Sequence, residues 1–313
     1  MIKTKYITTA QFIVSLLLLL SAFILPLIGC TPEKKETNGL IPVFVSIEPQ
    51  RYFIERIGGE YISVDVMVKP GQSPATYGPT PGQITKLGKA SVFFSIGVPF
   101  EHAFIDKIGN TIPELNIVDT TVGIVKRTIT GHDHNEGKEE HSDEHTDEKM
   151  LDPHVWMSPI LVKKQASVML ETLISLDAEQ SDYFRTNYNQ FIMDLDKVHS
   201  ELKTDLAELK GSTMFVYHPS FGYFTDLYGL KQIAIETEGK EPGPKGLETI
   251  INEIISDDVK VIFVQPEFQS SSIAVITETT GASVMPVDPL SYDYLNNLRY
   301  IADALGGKKA EGY

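Results

Sequence analysis

The chain has a single cysteine, Cys30, among 313 residues, so no disulfide can brace it internally. Cationic side chains are also scarce: 27 Lys and Arg stand against 42 Asp and Glu, a formal charge of −15. Phosphate backbones are gripped by clustered Lys and Arg, so nucleic acid is excluded as a partner. No phosphate-cradling glycine signature follows any strand-like run. The H-E-x-x-H pair of zinc proteases and the G-x-S-x-G elbow of serine hydrolases are missing too.

What the N-terminus does have is informative. "MIKTKYITTAQFIVSLLLLLSAFILPLIGC" sets Lys3 and Lys5 before an apolar run and ends in small residues. A short basic start followed by an apolar core is the pattern of an export signal, while the length of the run approaches that of a membrane span. The closing "LIGC" resembles the lipobox of bacterial-type lipoproteins, which implies cleavage after residue 29 and acylation of Cys30. "TPEKKETNG" then reads as a polar tether, making residues 30–40 a lipidated leader to a fold that starts near Ile41.

A second unusual stretch is "GHDHNEGKEEHSDEHTDEK", residues 131–149, with His132, His134, His141 and His145 among eight acids and two lysines. It has no hydrophobic residue to bury, so it cannot offset the entropy cost of ordering and is expected to be a solvated loop. Composition alone allows two readings, a charged surface insert or an auxiliary metal-collecting tract, since imidazole and carboxylate both bind divalent cations.

Elsewhere the pattern alternates. "IPVFVSI", "YISVDVMV" and "SVFFSIG" read as strands separated by helical stretches, and a second series runs through "TMFVYH", "KQIAIE", "VKVIFVQ" and "SVMPVD". Between the two series lie helices at 159–176 and about 179–210, the second without internal proline or glycine and roughly 45 Å long at 1.5 Å per residue. The predicted fold is α/β, with two Rossmann-like lobes of mainly parallel strands joined by a long rigid linker helix and a cleft between the lobes. Its expected segments are residues 41–158 for the N-terminal lobe, 159–210 for the helical region and 211–313 for the C-terminal lobe.

Three polar residues stand at loop openings or strand ends, where α/β domains gather ligands. They are His154 in "DPHVWMSP", His218 in "VYHPSFG" and Asp288 in "MPVDPL". Each alone has a structural explanation, a hydrogen-bonded histidine or a turn-starting Asp-Pro. Together they make an N,N,O donor set suited to zinc and also to manganese or iron. Glu267, after "VIFVQP", is a candidate acceptor for a ligand imidazole. Trp156, Tyr217 and Phe221 are read as cleft wall, and His199 and His102 as surface residues.

From Ile41 to Leu305 the chain resembles the substrate-binding lipoproteins of zinc/manganese ABC importers, the cluster A-I family. The resemblance rests on "VKPGQSPATYGPTPGQITKLGKASVFFSIGVPFE", the His-rich loop, "DPHVWMSP", "VYHPSFGYFTDLYGL", "EGKEPGPKGLETIINEI" and "MPVDPL". It implies one metal ion between the lobes, held from the loop at 71–79, His154, His218 and Asp288, and delivery of that ion to an ABC permease. It also implies an extracytoplasmic location and a lipid anchor; a monomer is expected. The cargo expected is Zn2+, with Mn2+ or Fe2+ as alternatives. One position departs from the family phrase G-x-x-x-H-x-Y-x-P-T-P, because Ala75 stands where the histidine belongs. Water or Glu101 is expected to fill that position, with His102 or a loop histidine behind them.

Rival functions are an adhesin-type surface lipoprotein and a binder of a chelated or non-metal ligand. A zinc hydrolase is a remote one: "HSDEH" (141–145) fits H-x-x-E-H formally, but it lies in a run with no apolar face to dock a helix. The reading favoured is a carrier and not an enzyme.

Overall fold

The computed structural model describes residues 39–129, 151–236, 240–268 and 270–307. The leader, Cys30 and the histidines His132, His134, His141 and His145 lie outside them.

Among the described residues, eight short strands form two four-stranded sheets, and every strand pairing within them is parallel. In the first lobe, β1 (Ile41–Val45), β2 (Ile62–Val66), β3 (Val92–Ser95) and β4 (Asn116–Asp119) lie in the order β2-β1-β3-β4. In the second, β5 (Thr213–Val216), β6 (Lys231–Ala234), β7 (Val261–Val264) and β8 (Ser283–Pro286) repeat that order as β6-β5-β7-β8. The central strands β1, β3, β5 and β7 are built largely of Val, Ile, Phe and Met, as strands covered on both faces require. In each sheet the winding reverses between the two central strands, which opens a crevice at their C-terminal ends.

Proline stands in the first turn of α1 (Glu48–Gly58), α2 (Pro81–Leu87), α3 (Pro99–Thr111), α4 (Pro159–Leu176) and α7 (Pro244–Ser256). Its preset φ and missing N–H suit that position and break the chain cleanly between loop and helix. The remaining helices are α5 (Ser181–Asp205), α6 (Gly222–Tyr228), α8 (Ser271–Thr280) and α9 (Tyr294–Leu305).

Helix α5 is the linker, packed on α4, on α1 of the first lobe and on α9 of the second. Its apolar face, Phe184, Phe191, Leu195, Val198 and Leu202, is buried in a core that runs continuously through both lobes. A smaller cluster around Phe215, Ile250, Ile254 and Ile276 lies beneath α7 and α8. The linker has 25 residues, about 37 Å, and is shorter than the pattern suggests. Buried Leu206 ends it, and the chain tightens into a 3-10 turn at Ala207–Leu209 before Gly211 turns at φ +88°. Strand β4 has no apolar run to announce it: it is an edge strand with both ends exposed.

A buried glutamine secures the crevice of each sheet. Gln50 accepts from the Ser46 amide and donates toward the carbonyls of Phe94 and Ser95, tying the ends of β1 and β3. Gln265 accepts from the His218 amide and donates to the His218 carbonyl and Ser220 Oγ, tying the ends of β5 and β7.

Candidate metal centre

His154 and His218 reach the same point from different parts of the chain. Their Nε2 atoms are 3.3 Å apart, with ring planes crossing at 71°. His154 follows the turn Asp152-Pro153 and is 9 % exposed. Asp152 Oδ1 accepts both its backbone N–H, at 2.9 Å, and its Nδ1, at 2.7 Å. His218 lies two residues beyond β5, with its backbone clamped by Gln265 and its ring stacked on Phe268. Its Nδ1 is paired with Glu236, which lies two residues beyond β6.

These partners define the tautomers. A carboxylate can only accept, so each Nδ1 carries a proton, and in the neutral ring each Nε2 presents a lone pair. Two lone pairs facing each other repel unless a cation sits between them. Two nitrogen ligands on a tetrahedral ion, with bonds of about 2.05 Å, stand roughly 3.3 Å apart. The observed separation matches, and a carboxylate behind each imidazole is the usual arrangement for orienting a metal-bound histidine.

Asp288 follows β8. Its Oδ1 accepts from the Leu290 amide at 2.8 Å, and its main-chain carbonyl accepts from Asn297. Burial raises its pKa against the pull of that amide. Burial also pushes the Glu267 carboxyl up to about 7, with Asp288 adding to the shift and His218 opposing it. Glu267 therefore senses the charges of Asp288 and His218. Among the described residues, no three or more His, Cys, Asp or Glu are gathered at one point to hold an ion. The two imidazoles meet; the carboxylates stand nearby.

Other candidates are placed elsewhere. Glu101 is 1 % exposed, and its carboxylate is occupied by Ser46 Oγ and the amides of Ile96 and Gly97. It closes the turn between β3 and α3, and burial pushes it up to about 7. Ala75 is exposed, its amide donating to Ser73 Oγ. His102 is exposed, as the pattern suggests, but His199 is half-buried against Tyr228, because α5 turns that face toward α6. Trp156, Tyr217 and Phe221 are buried; Trp156 also donates from Nε1 to the Pro289 carbonyl at 2.7 Å.

The imidazole partners are Asp152 and Glu236, neither of which was singled out from the sequence. Glu236 carries the same signal as His218, a polar residue closing an apolar strand at the ligand-gathering edge. Burial favours the neutral form of Asp152, but the ring and backbone N–H of His154 and the charge of Arg127 outweigh it and hold the carboxyl below its usual value.

Two parallel α/β lobes around a linker helix, with histidines converging from separate segments, define a two-lobed solute-binding protein. The model of the ZnuA family, described as zinc-uptake complex component A, periplasmic, matches residues 43–307, and the chain belongs to that family. It is 24% identical over 264 residues to the high-affinity zinc uptake system protein ZnuA of Yersinia pestis, covering 79% of this chain and 82% of that one. It is 23% identical over 280 residues to the zinc-binding lipoprotein AdcA of Streptococcus pneumoniae, covering 88% of this chain but only 54% of AdcA. Among solved structures, a crystal structure of ZnuA superposes with a TM-score of 0.78 at 31% identity, covering 87% of this chain and all of that one.

Proposed function

We propose that the chain is an extracytoplasmic carrier that captures Zn2+ between His154 and His218 and delivers it to an ABC permease. The observation that carries this reading is the 3.3 Å approach of two Nε2 atoms, each backed by a carboxylate on Nδ1. Asp288 is the proposed third ligand, and water takes the position that Ala75 leaves open. Two imidazoles favour zinc over manganese, which prefers oxygen donors.

The role is carriage and not hydrolysis, in keeping with a family described by uptake. Acylated Cys30 is the proposed anchor, residues 31–40 the tether, and the working unit a monomer. The acidic tract at 131–149 is proposed to raise local cation density through its carboxylates and imidazoles. Because histidine must be neutral to ligate, zinc is held at neutral pH and released on acidification.

The test is zinc titration of the full chain against a competing chelator, with Mn2+ and Fe2+ as rivals. One tight equivalent of zinc, abolished by His154→Ala and by His218→Ala, supports the reading. Equal tight binding by the wild type and the double variant overturns it, since the ion would then reside elsewhere.

A further inference from the structure

Asp152, which orients His154, is itself held by Arg127, and the hold comes from both lobes. Arg127 Nη1 donates to Asp152 Oδ2 at 3.3 Å, while its Nε pairs with Asp226 Oδ2 on α6 at 3.0 Å. The backbone repeats the link. The Asp152 amide donates to the Arg127 carbonyl at 2.8 Å, and the Arg127 amide donates to Tyr223 Oη at 3.1 Å. Tyr223 Oη in turn donates to the Asp152 carbonyl at 2.8 Å. Arg127 is thus joined to the second lobe through two side chains of one short helix. One residue further on, Thr128 is bridged antiparallel to Leu151.

Gly222 makes the arrangement possible. A methyl group at that position would lie 1.3 Å from Arg127 Nη1 and 3.0 Å from Asp152 Oδ2. The guanidinium therefore passes through the space a side chain at 222 would fill. Asp152 is almost fully buried, its side chain 1 % exposed, and a buried carboxylate with one oxygen unpartnered would turn to find another donor. Turning it would withdraw Oδ1 from the imidazole.

We propose that Arg127 is a positioning residue for metal capture: it locks the Asp152 carboxylate so that His154 keeps Nε2 aimed at His218. The assignment rests on the carrier reading and extends it, because the guanidinium also joins the His154 segment to α6. The aim of the ligand thereby depends on how the two lobes meet. The planar fork of arginine meets two carboxylates at once, which a lysine ammonium at the end of a flexible stem cannot do from the same position.

The experiment uses the full chain, with Zn2+ affinity from chelator competition and Co2+ as a spectroscopic probe. The His154→Ala, His218→Ala double variant supplies the baseline for ions bound elsewhere. Arg127→Ala is expected to weaken zinc about tenfold, the low end for groups that orient metal-bound histidines, and to change the Co2+ ligand-field spectrum. Arg127→Lys should fall between wild type and Arg127→Ala. Gly222→Ala leaves arginine in place but expels its guanidinium, so it should reproduce the Arg127→Ala loss even if that variant proves hard to fold. Wild-type affinity and an unchanged Co2+ spectrum in Arg127→Ala or Gly222→Ala would overturn the role of Arg127 while leaving the carrier intact. Tight zinc that persists in the double-histidine variant would overturn the carrier reading itself.

Discussion

The Nε1 of Trp156 and the carbonyl oxygen of Pro289 are 2.7 Å apart, joining the residue two places after His154 to the one immediately after Asp288. Tyr294 Oη donates back to the Trp156 carbonyl, also at 2.7 Å, and both rings are buried. The two proposed ligand segments are thus stapled together behind the site.

Trp156→Phe keeps most of the apolar surface but removes the donor. Leaving the Pro289 carbonyl unpaired in the interior is expected to cost about 1–3 kcal/mol. Urea denaturation of the metal-free chain measures that loss, and zinc affinity should fall with it. Unchanged stability would mean that the staple contributes nothing.

Glu236→Gln preserves an acceptor for His218 Nδ1 but removes the charge that makes the ring a stronger donor to metal. Zinc affinity is expected to drop by about tenfold, within the range for such partners. A chelator-competition titration reads it directly, and wild-type affinity would show that Glu236 serves the fold alone.

Glu101 supplies a pH dependence distinct from that of the histidines. Burial, with a smaller contribution from Asp119, places its folded pKa at about 7 against an ordinary 4.5. The folded chain therefore holds more protons than the unfolded one between those values, so stability from this residue falls as pH rises through about 4.5 to 7 and is level above. At about 1.4 kcal/mol per unit, the whole effect is at most a few kcal/mol. Glu101→Gln abolishes it. Metal-free wild type and variant, unfolded in urea across this range, should differ by an amount that drifts in favour of the variant with rising pH. A constant difference would refute the assignment.

Gly59 follows α1 at φ +52°, and a methyl group there would sit 2.3 Å from Tyr183 Oη on the linker helix. Gly59→Ala meets both a left-handed backbone and a steric block, with an expected loss of about 1–3 kcal/mol. Thermal or urea unfolding of the metal-free protein checks this, and a neutral outcome would show that α5 can shift away from the first lobe without cost.

How much of this was legible in the sequence varies from residue to residue. Strands β1, β3, β5 and β7 announce themselves because strands covered on both faces must be apolar throughout. Strand β4, "NIVD", does not, since an edge strand with exposed ends needs no such run. Linker helix α5 is visible as a long stretch without proline or glycine, but its end is set by where Leu206 finds the core.

The site divides in the same way. Its sequence alone determined an α/β chain with two strand series, a helical connector, and polar residues His154, His218 and Asp288 at loop openings and strand ends, because periodicity and position are local properties. Only the tertiary structure decided that two imidazoles meet nitrogen to nitrogen, that Asp152 and Glu236 hold their far sides, and that Glu101 faces inward to Ile96 and Gly97. The aim and tautomer of a ring are set by groups that other segments bring to it, and nothing in the spacing of residues along one strand carries that information.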